Sequence, residues 1–116
     1  MKISHNFDSG KIECIAINPN GNITLSIPKD NAADFHQWFH YRLTGAKNIH
    51  CRMQIVNAGQ TSYVEGWENY QAVASYDRQI WFRVDTTFDG KSLTISHTPE
   101  CDSVYFAYFA PYSMER

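Results

Sequence analysis

Apolar residues alternate with polar ones along most of this chain, at a period of two. Ile23, Leu25 and Ile27 share one side of an extended segment, with Asn22, Thr24 and Ser26 on the other. Phe35, Phe39, Tyr41 and Leu43 oppose His36, Trp38, His40 and Arg42. Ile49, Cys51, Met53 and Ile55 oppose His50, Arg52 and Gln54. Ile80, Phe82 and Val84 oppose Trp81, Arg83 and Asp85. Side chains of a strand point alternately to its two faces, so this pattern predicts strands. No segment shows a helical period. The stretch Val104–Tyr112 is apolar on both faces, which calls for cover on both sides. Either it is central in a packed sheet, or a further part of a larger protein covers it.

Turn signals punctuate the strands. Asn18-Pro19-Asn20-Gly21-Asn22 predicts a hairpin between Ile12–Ile17 and Ile23–Ile27. Pro28–Asn31 ends the second of these, and Thr44–Asn48 separates two more runs. Asp89-Gly90 predicts a two-residue hairpin between Trp81–Phe88 and Ser92–His97. Asn57 to about Tyr70 reads as a long loop with at most one helical turn. Eight or nine short strands in one domain of 116 residues predict an all-β fold, an antiparallel β-sandwich, with a small barrel as the alternative.

Composition narrows the function. A net charge of −2 gives bulk electrostatics no bias toward nucleic acid or an anionic membrane. No apolar run is long enough to span a bilayer, and the first residues lack a signal-peptide core. Cys14, Cys51 and Cys101 are widely spaced without a C-x-x-C pair. A reducing cytoplasm is therefore the simplest compartment.

Candidate chemistry is sparse. His97-Thr98-Pro99-Glu100 has the H-x-x-E spacing of two metal ligands, but a catalytic zinc needs a third protein ligand. No histidine follows Glu100, so a strand end and turn is the expectation. His36 and His40 lie about 13 Å apart on a strand, too far to share one ion. A His40–His50 pair across strands would lack a carboxylate. Tyr76-Asp77-Arg78 reads as a salt bridge that stabilises a turn. No G-x-S-x-G elbow and no phosphate loop occurs. If the strands carrying them are neighbours, His36, Trp38, His40, Arg42, Arg52, Trp81 and Arg83 form one cationic, aromatic face suited to an interface.

Several segments, in order, carry a resemblance: Asn6-Phe7-Asp8-Ser9-Gly10-Lys11-Ile12-Glu13, Gln37-Trp38-Phe39-His40-Tyr41-Arg42-Leu43-Thr44-Gly45-Ala46, Ile55-Val56-Asn57-Ala58, Tyr70–Arg78, Trp81-Phe82-Arg83-Val84 and Val104–Ser113. Together they resemble the N-terminal domain of bacterial cytosolic carboxypeptidases, a subfamily of the M14 zinc metallocarboxypeptidases. The resemblance covers nearly the whole chain. It implies a non-catalytic β-sandwich that precedes a zinc-bearing catalytic domain and packs on it. That domain would begin after Arg116, outside this chain, and would hold the zinc and the catalytic residues. It implies no metal or cofactor in residues 1–116, and partners that are the chain's own catalytic domain and a peptide or protein substrate. Tyr105, Phe109, Pro111 and Tyr112 then become the candidate domain junction. The His/Trp/Arg face becomes either that junction or a cationic wall for an acidic peptide. Apolar surface near Val104–Tyr112 would make the isolated domain self-associate. The competing function is a free-standing protein- or carbohydrate-binding module using Trp38, Trp67 and Trp81. A small enzyme built into the Asn57–Tyr70 loop lacks a coherent catalytic set.

Overall fold

A computed structural model describes residues 1–4, 12–27, 39–60, 67 and 70–108. The described residues include ten strands and the short 3-10 turn Ala58–Gln60. In order the strands are β1 (Lys2–Ser4), β2 (Glu13–Ile17), β3 (Asn22–Ser26), β4 (His40–Thr44), β5 (Cys51–Ile55), β6 (Val73–Ser75), β7 (Phe82–Arg83), β8 (Asp85–Phe88), β9 (Leu93–His97) and β10 (Ser103–Ala107). They make two five-stranded sheets, ordered β1-β4-β10-β6-β7 and β2-β3-β5-β9-β8. This is the expected all-β sandwich.

The core lies between the sheets, where the alternating apolar positions meet. Tyr41 and Leu43 from β4 join Val104 and Phe106 from β10 on one side. Ile23, Leu25, Met53, Ile55, Leu93 and Ile95 come from the other. The Tyr41 hydroxyl donates to Met53 Sδ across the gap at 3.2 Å. Burial raises the Tyr41 hydroxyl pKa well above its ordinary value.

All pairings are antiparallel except one. β3 and β5 run parallel because the chain between them leaves to form β4 in the opposite sheet and then returns. Asn57 extends that edge: its Oδ1 accepts from Ile27 N–H at 2.8 Å, and its Nδ2 donates to Ile27 O at 2.8 Å. A side-chain amide thus pairs backbone groups where the ladder ends.

Three expectations change. The run Trp81–Phe88 is two strands, not one, because the chain bends at Val84 and passes from the first sheet to the second. Val84 is buried, and its N–H donates to Ala72 O at 3.0 Å. The Thr86 hydroxyl accepts from Ala72 N–H and donates to Val84 O, each at 3.0 Å, which pairs groups at the corner. Ile80 therefore does not share the core face of Phe82 and Val84; it is 72% exposed. The β8–β9 connection is a four-residue loop, since Phe88 pairs with Leu93. Asp89 Oδ1 holds it by accepting from the N–H groups of Lys91 and Ser92, at 2.9 and 2.8 Å.

The doubly apolar run has a direct cause in its described part. β10 is central, paired with β4 on one side and β6 on the other. Val104, Phe106 and Ala107 are buried within this chain. The apolar surface expected over Val104–Tyr112 is thus covered at Val104, Phe106 and Ala107, while Tyr105 is half-buried and Phe109, Pro111 and Tyr112 lie outside the described residues. Among the described residues no helix is long and apolar enough to cross a membrane.

Candidate functional site

The outer face of the first sheet is the unusual surface. Strand register places Ser4, Arg42, Tyr105 and Ser75 in one row across it, and His40, Ala107, Val73 and Arg83 in the next. An outward sheet face is normally wet. Here His40, Ser75 and Ala107 are fully buried.

The cover begins at Ser75, where β6 ends. Its hydroxyl donates to Asp77 Oδ1 at 3.0 Å and accepts from the N–H groups of Asp77 and Arg78, at 3.3 and 2.8 Å. Asp77 Oδ1 also accepts from Gln79 and Ile80 N–H, at 2.8 and 3.0 Å. The bonds from Ile80 and Gln79 hold the Asp77 carboxyl below its ordinary pKa. Asp77 thus secures the turn through backbone groups, where a salt bridge had been expected. Arg78 takes a left-handed backbone, φ 64°. This conformation is costly for a residue with a Cβ, and the bonds at Ser75 and Asp77 hold the turn around it.

The turn brings Arg78 over β10. The Arg78 guanidinium sits 5.4 Å from the Tyr105 ring centroid, and that of Arg42 sits 5.8 Å from the same ring. Contacts of this kind contribute about 0.5–1 kcal/mol each at exposed sites. Arg42 Nε also donates to Ser103 Oγ at 2.7 Å. The Trp81 ring meets the His40 ring edge-on at 5.9 Å. Trp81 Nε1 is buried with no acceptor among the described residues.

The candidate residues are therefore only partly brought together. His40, Arg42, Trp81 and Tyr105 share this face. His40 is not an exposed anchor, because Trp81 and Tyr105 lie against it. Arg83 is exposed on the edge strand β7. Arg52 is separated from the others: β5 belongs to the second sheet, where Arg52 Nε donates to Asn22 Oδ1 at 3.3 Å. For the same reason His50 cannot pair across strands with His40. His36 and Trp38 lie outside the described residues. Arg78 and Ile80 were not singled out from sequence as face residues. The signal was the Ser75-x-Asp77 spacing, which favours a side-chain-capped turn.

Of the tryptophans proposed as a binding platform, Trp67 is a core residue. It is 1% exposed, its Nε1 donates to Ala58 O at 3.0 Å, and its ring packs on Phe39, Tyr70 and Tyr108. The Tyr70 hydroxyl donates to Tyr108 O. Burial, then Tyr108, pushes its pKa up.

A second cluster sits where β9 ends. His97 Nε2 and the Tyr76 hydroxyl are 2.9 Å apart, and Glu100 N–H donates to that hydroxyl at 3.1 Å. Phe82 and Phe106 flank the His97 ring. An open cleft of about 330 Å³ lies beside it, lined by His50, Arg83, Asp85, Ser96, His97 and Thr98, among others. His50 Nδ1 is 2.9 Å from Thr98 Oγ1. The H-x-x-E pair thus forms a strand end and turn. Among the described residues no group of three or more His, Cys, Asp or Glu is placed to hold a metal ion. The donors here do not suit zinc: His97 Nε2 faces a tyrosine hydroxyl, and Cys51 Sγ donates to Ile49 O.

Burial lowers the His97 pKa, with Glu100 and Asp85 opposing that shift and His50 adding to it. The folded state then holds fewer protons than the unfolded chain below the ordinary histidine value of about 6.5. Folding stability should be full above that pH and decline as pH falls through the window beneath it. Urea denaturation at several pH values checks this, and His97→Gln should flatten that part of the profile. Tyr76→Phe should cost about 1 kcal/mol at pH 8 through loss of the hydroxyl bonds.

The sequence matches the cytosolic carboxypeptidase N-terminal domain over residues 3–109. An uncharacterized protein of Zymomonas mobilis is 45% identical over the whole chain, which spans 30% of that protein. The crystal structure of a metallo-carboxypeptidase from Burkholderia cenocepacia superposes with a TM-score of 0.92 at 55% identity, over 99% of this chain and 30% of that one. A metallo-carboxypeptidase from Pseudomonas aeruginosa, solved in complex with (2-guanidinoethylmercapto)succinic acid, superposes with a TM-score of 0.91 at 44% identity. It covers all of this chain and 31% of its own. The chain thus spans about a third of the length of these relatives.

Proposed function

The chain belongs to the cytosolic carboxypeptidase N-terminal domain family, and on that premise we propose that it is the non-catalytic accessory domain of a longer zinc metallocarboxypeptidase. The observation that carries this reading is the partial coverage. The match takes in 99% of this chain but only 30% of a metallo-carboxypeptidase. The remaining length of such a protein is room for a catalytic domain.

The parent would remove C-terminal residues from peptides or proteins, acidic tails among them, in the cytoplasm. Zinc and the catalytic groups would belong to the catalytic domain. The sandwich would support that domain and shape the approach to its site, through the Arg42/Trp81 side of the first sheet and the junction at Tyr105, Phe109, Pro111 and Tyr112. The binding-module alternative has lost its platform in part, since Trp67 is in the core and Trp81 is folded against His40.

A peptidase assay tests the reading. With added zinc, residues 1–116 should release nothing from peptides with free C-termini. The longer protein should release C-terminal residues and lose that activity to a chelator. Zinc-dependent hydrolysis by residues 1–116 alone would overturn the accessory role.

A further inference from the structure

The β2–β3 turn carries a chemically labile pair. Asparagine is among the thermally labile residues, and Asn20 is the only asparagine in the sequence followed by glycine. Glycine has no Cβ to keep its amide nitrogen away from the preceding side chain. In deamidation the Gly21 nitrogen loses its proton to hydroxide and attacks Asn20 Cγ. A C–N bond forms, the Cγ–Nδ2 bond breaks, and the nitrogen leaves as ammonia after taking a proton from water. Water then opens the cyclic imide. Attack at the side-chain carbonyl gives aspartate. Attack at the main-chain carbonyl gives isoaspartate, whose backbone runs through Cβ and Cγ. The balance is one water in and one ammonia out.

The folded turn commits the reacting groups elsewhere. Gly21 N–H donates to Asn18 O at 2.9 Å, so its proton is not open to hydroxide. Asn20 Oδ1 accepts from Asn22 N–H at 3.0 Å, and Asn20 N–H donates to Asn18 Oδ1 at 3.1 Å, which fixes residue 20 at both ends. Gly21 is buried, and its carbonyl accepts from Arg52 N–H at 2.8 Å. Asn18, Pro19, Asn20 and Asn22 are exposed, so water and hydroxide reach the pair once these bonds open.

We propose that Asn20 is a covalent modification site gated by the fold: it deamidates when the β2–β3 turn opens, and the isoaspartate product cannot close that turn again. Isoaspartate adds a backbone carbon inside the loop that the bonds Asn18 N–H to Asn22 O and Gly21 N–H to Asn18 O close. The same turn feeds β3, whose parallel pairing with β5 begins at Asn22 and Arg52. Each opening therefore risks a permanent loss of that register. The aspartate product keeps an oxygen for Asn22 N–H and leaves the backbone unchanged, so it is the harmless outcome. The inference does not depend on the accessory-domain reading.

The test is peptide mapping by mass spectrometry after incubation at pH 8, in buffer and in guanidinium chloride that unfolds the chain. In denaturant Asn20 should gain one mass unit well ahead of Asn48 and Asn57, which precede isoleucine and alanine. Either of those keeping pace would overturn the assignment of the site. In buffer Asn20 should react at least about ten-fold more slowly than in denaturant, because the reaction waits on local opening. Equal rates in the two conditions would overturn the gate. Asn18→Ala removes the Oδ1 acceptor but no reacting atom. It should speed the reaction a few-fold in buffer and leave the rate in denaturant unchanged. An unchanged rate in buffer would count against the turn as the gate. The isoaspartate form, separated by ion exchange, should melt at a lower temperature than Asn20→Asp. Equal melting temperatures would show that the added backbone carbon does no harm and would overturn that part of the proposal.

Discussion

Trp67→Ala should destabilise the chain by about 3–5 kcal/mol, the range for emptying a large aromatic site in a core. A drop in melting temperature of roughly 10–20 °C should accompany it. Trp67 is among the largest fully buried side chains; it bonds to Ala58 O and packs on Phe39, Tyr70 and Tyr108. Trp67→Phe keeps much of the ring and loses the N–H bond, so it should cost about 1–2 kcal/mol. Chemical denaturation of the three proteins separates the two contributions. A loss below about 1 kcal/mol for Trp67→Ala would mean that this residue is not in the core. The exposed-platform role once considered for it would then return.

Gly21→Ala should cost about 2–4 kcal/mol, from a disfavoured backbone and a steric clash together. Gly21 ends the β2–β3 turn at φ +104°, and a Cβ there would sit 2.2 Å from the carbonyl oxygen of His50. That oxygen cannot move freely, because Arg52 N–H donates to Gly21 O at 2.8 Å and holds the parallel β3–β5 pair in register. Gly90 is the control. Its φ is +98°, but nothing lies within 4 Å of a Cβ added there. Gly90→Ala should therefore cost only the backbone share, about 1–2 kcal/mol. Equal losses at the two positions would show that the close approach to His50 contributes nothing.

The strands were legible where one face is buried and the other wet. Ile23, Leu25, Met53 and Ile55 are buried as their alternation requires, and Arg52 and Gln54 are exposed opposite them. Legibility failed where the chain changes sheet. Trp81–Phe88 keeps its alternation through the bend at Val84, because a corner residue that stays buried does not disturb the period. It failed again on the outer face of the first sheet. His40 and Trp81 read as exposed partners because period two says which side a residue lies on, not whether another segment covers that side. The covering turn is set by the Ser75 and Asp77 side chains bonding to backbone groups, a local effect that no hydrophobic pattern records. Grouping Arg52 with Arg42 failed for a third reason. Sheet membership depends on pairing between distant strands, and β4 and β5, adjacent in sequence, lie in opposite sheets.

The H-x-x-E spacing was legible in the sequence, and its reading as a strand end and turn holds among the described residues. The H-x-x-E pair lacks a third ligand in sequence, and in space His97 Nε2 faces Tyr76. The proposed accessory role requires that the chemistry come from a further part of a longer protein, as the 30% share of the relatives suggests. Reading the native gene past the codon for Arg116 tests this most directly. An open frame continuing for more than twice the length of this chain, as its 30% share of the relatives implies, and encoding an H-x-x-E with a later histidine, is the expected result. A stop codon directly after Arg116 would contradict the accessory-domain role.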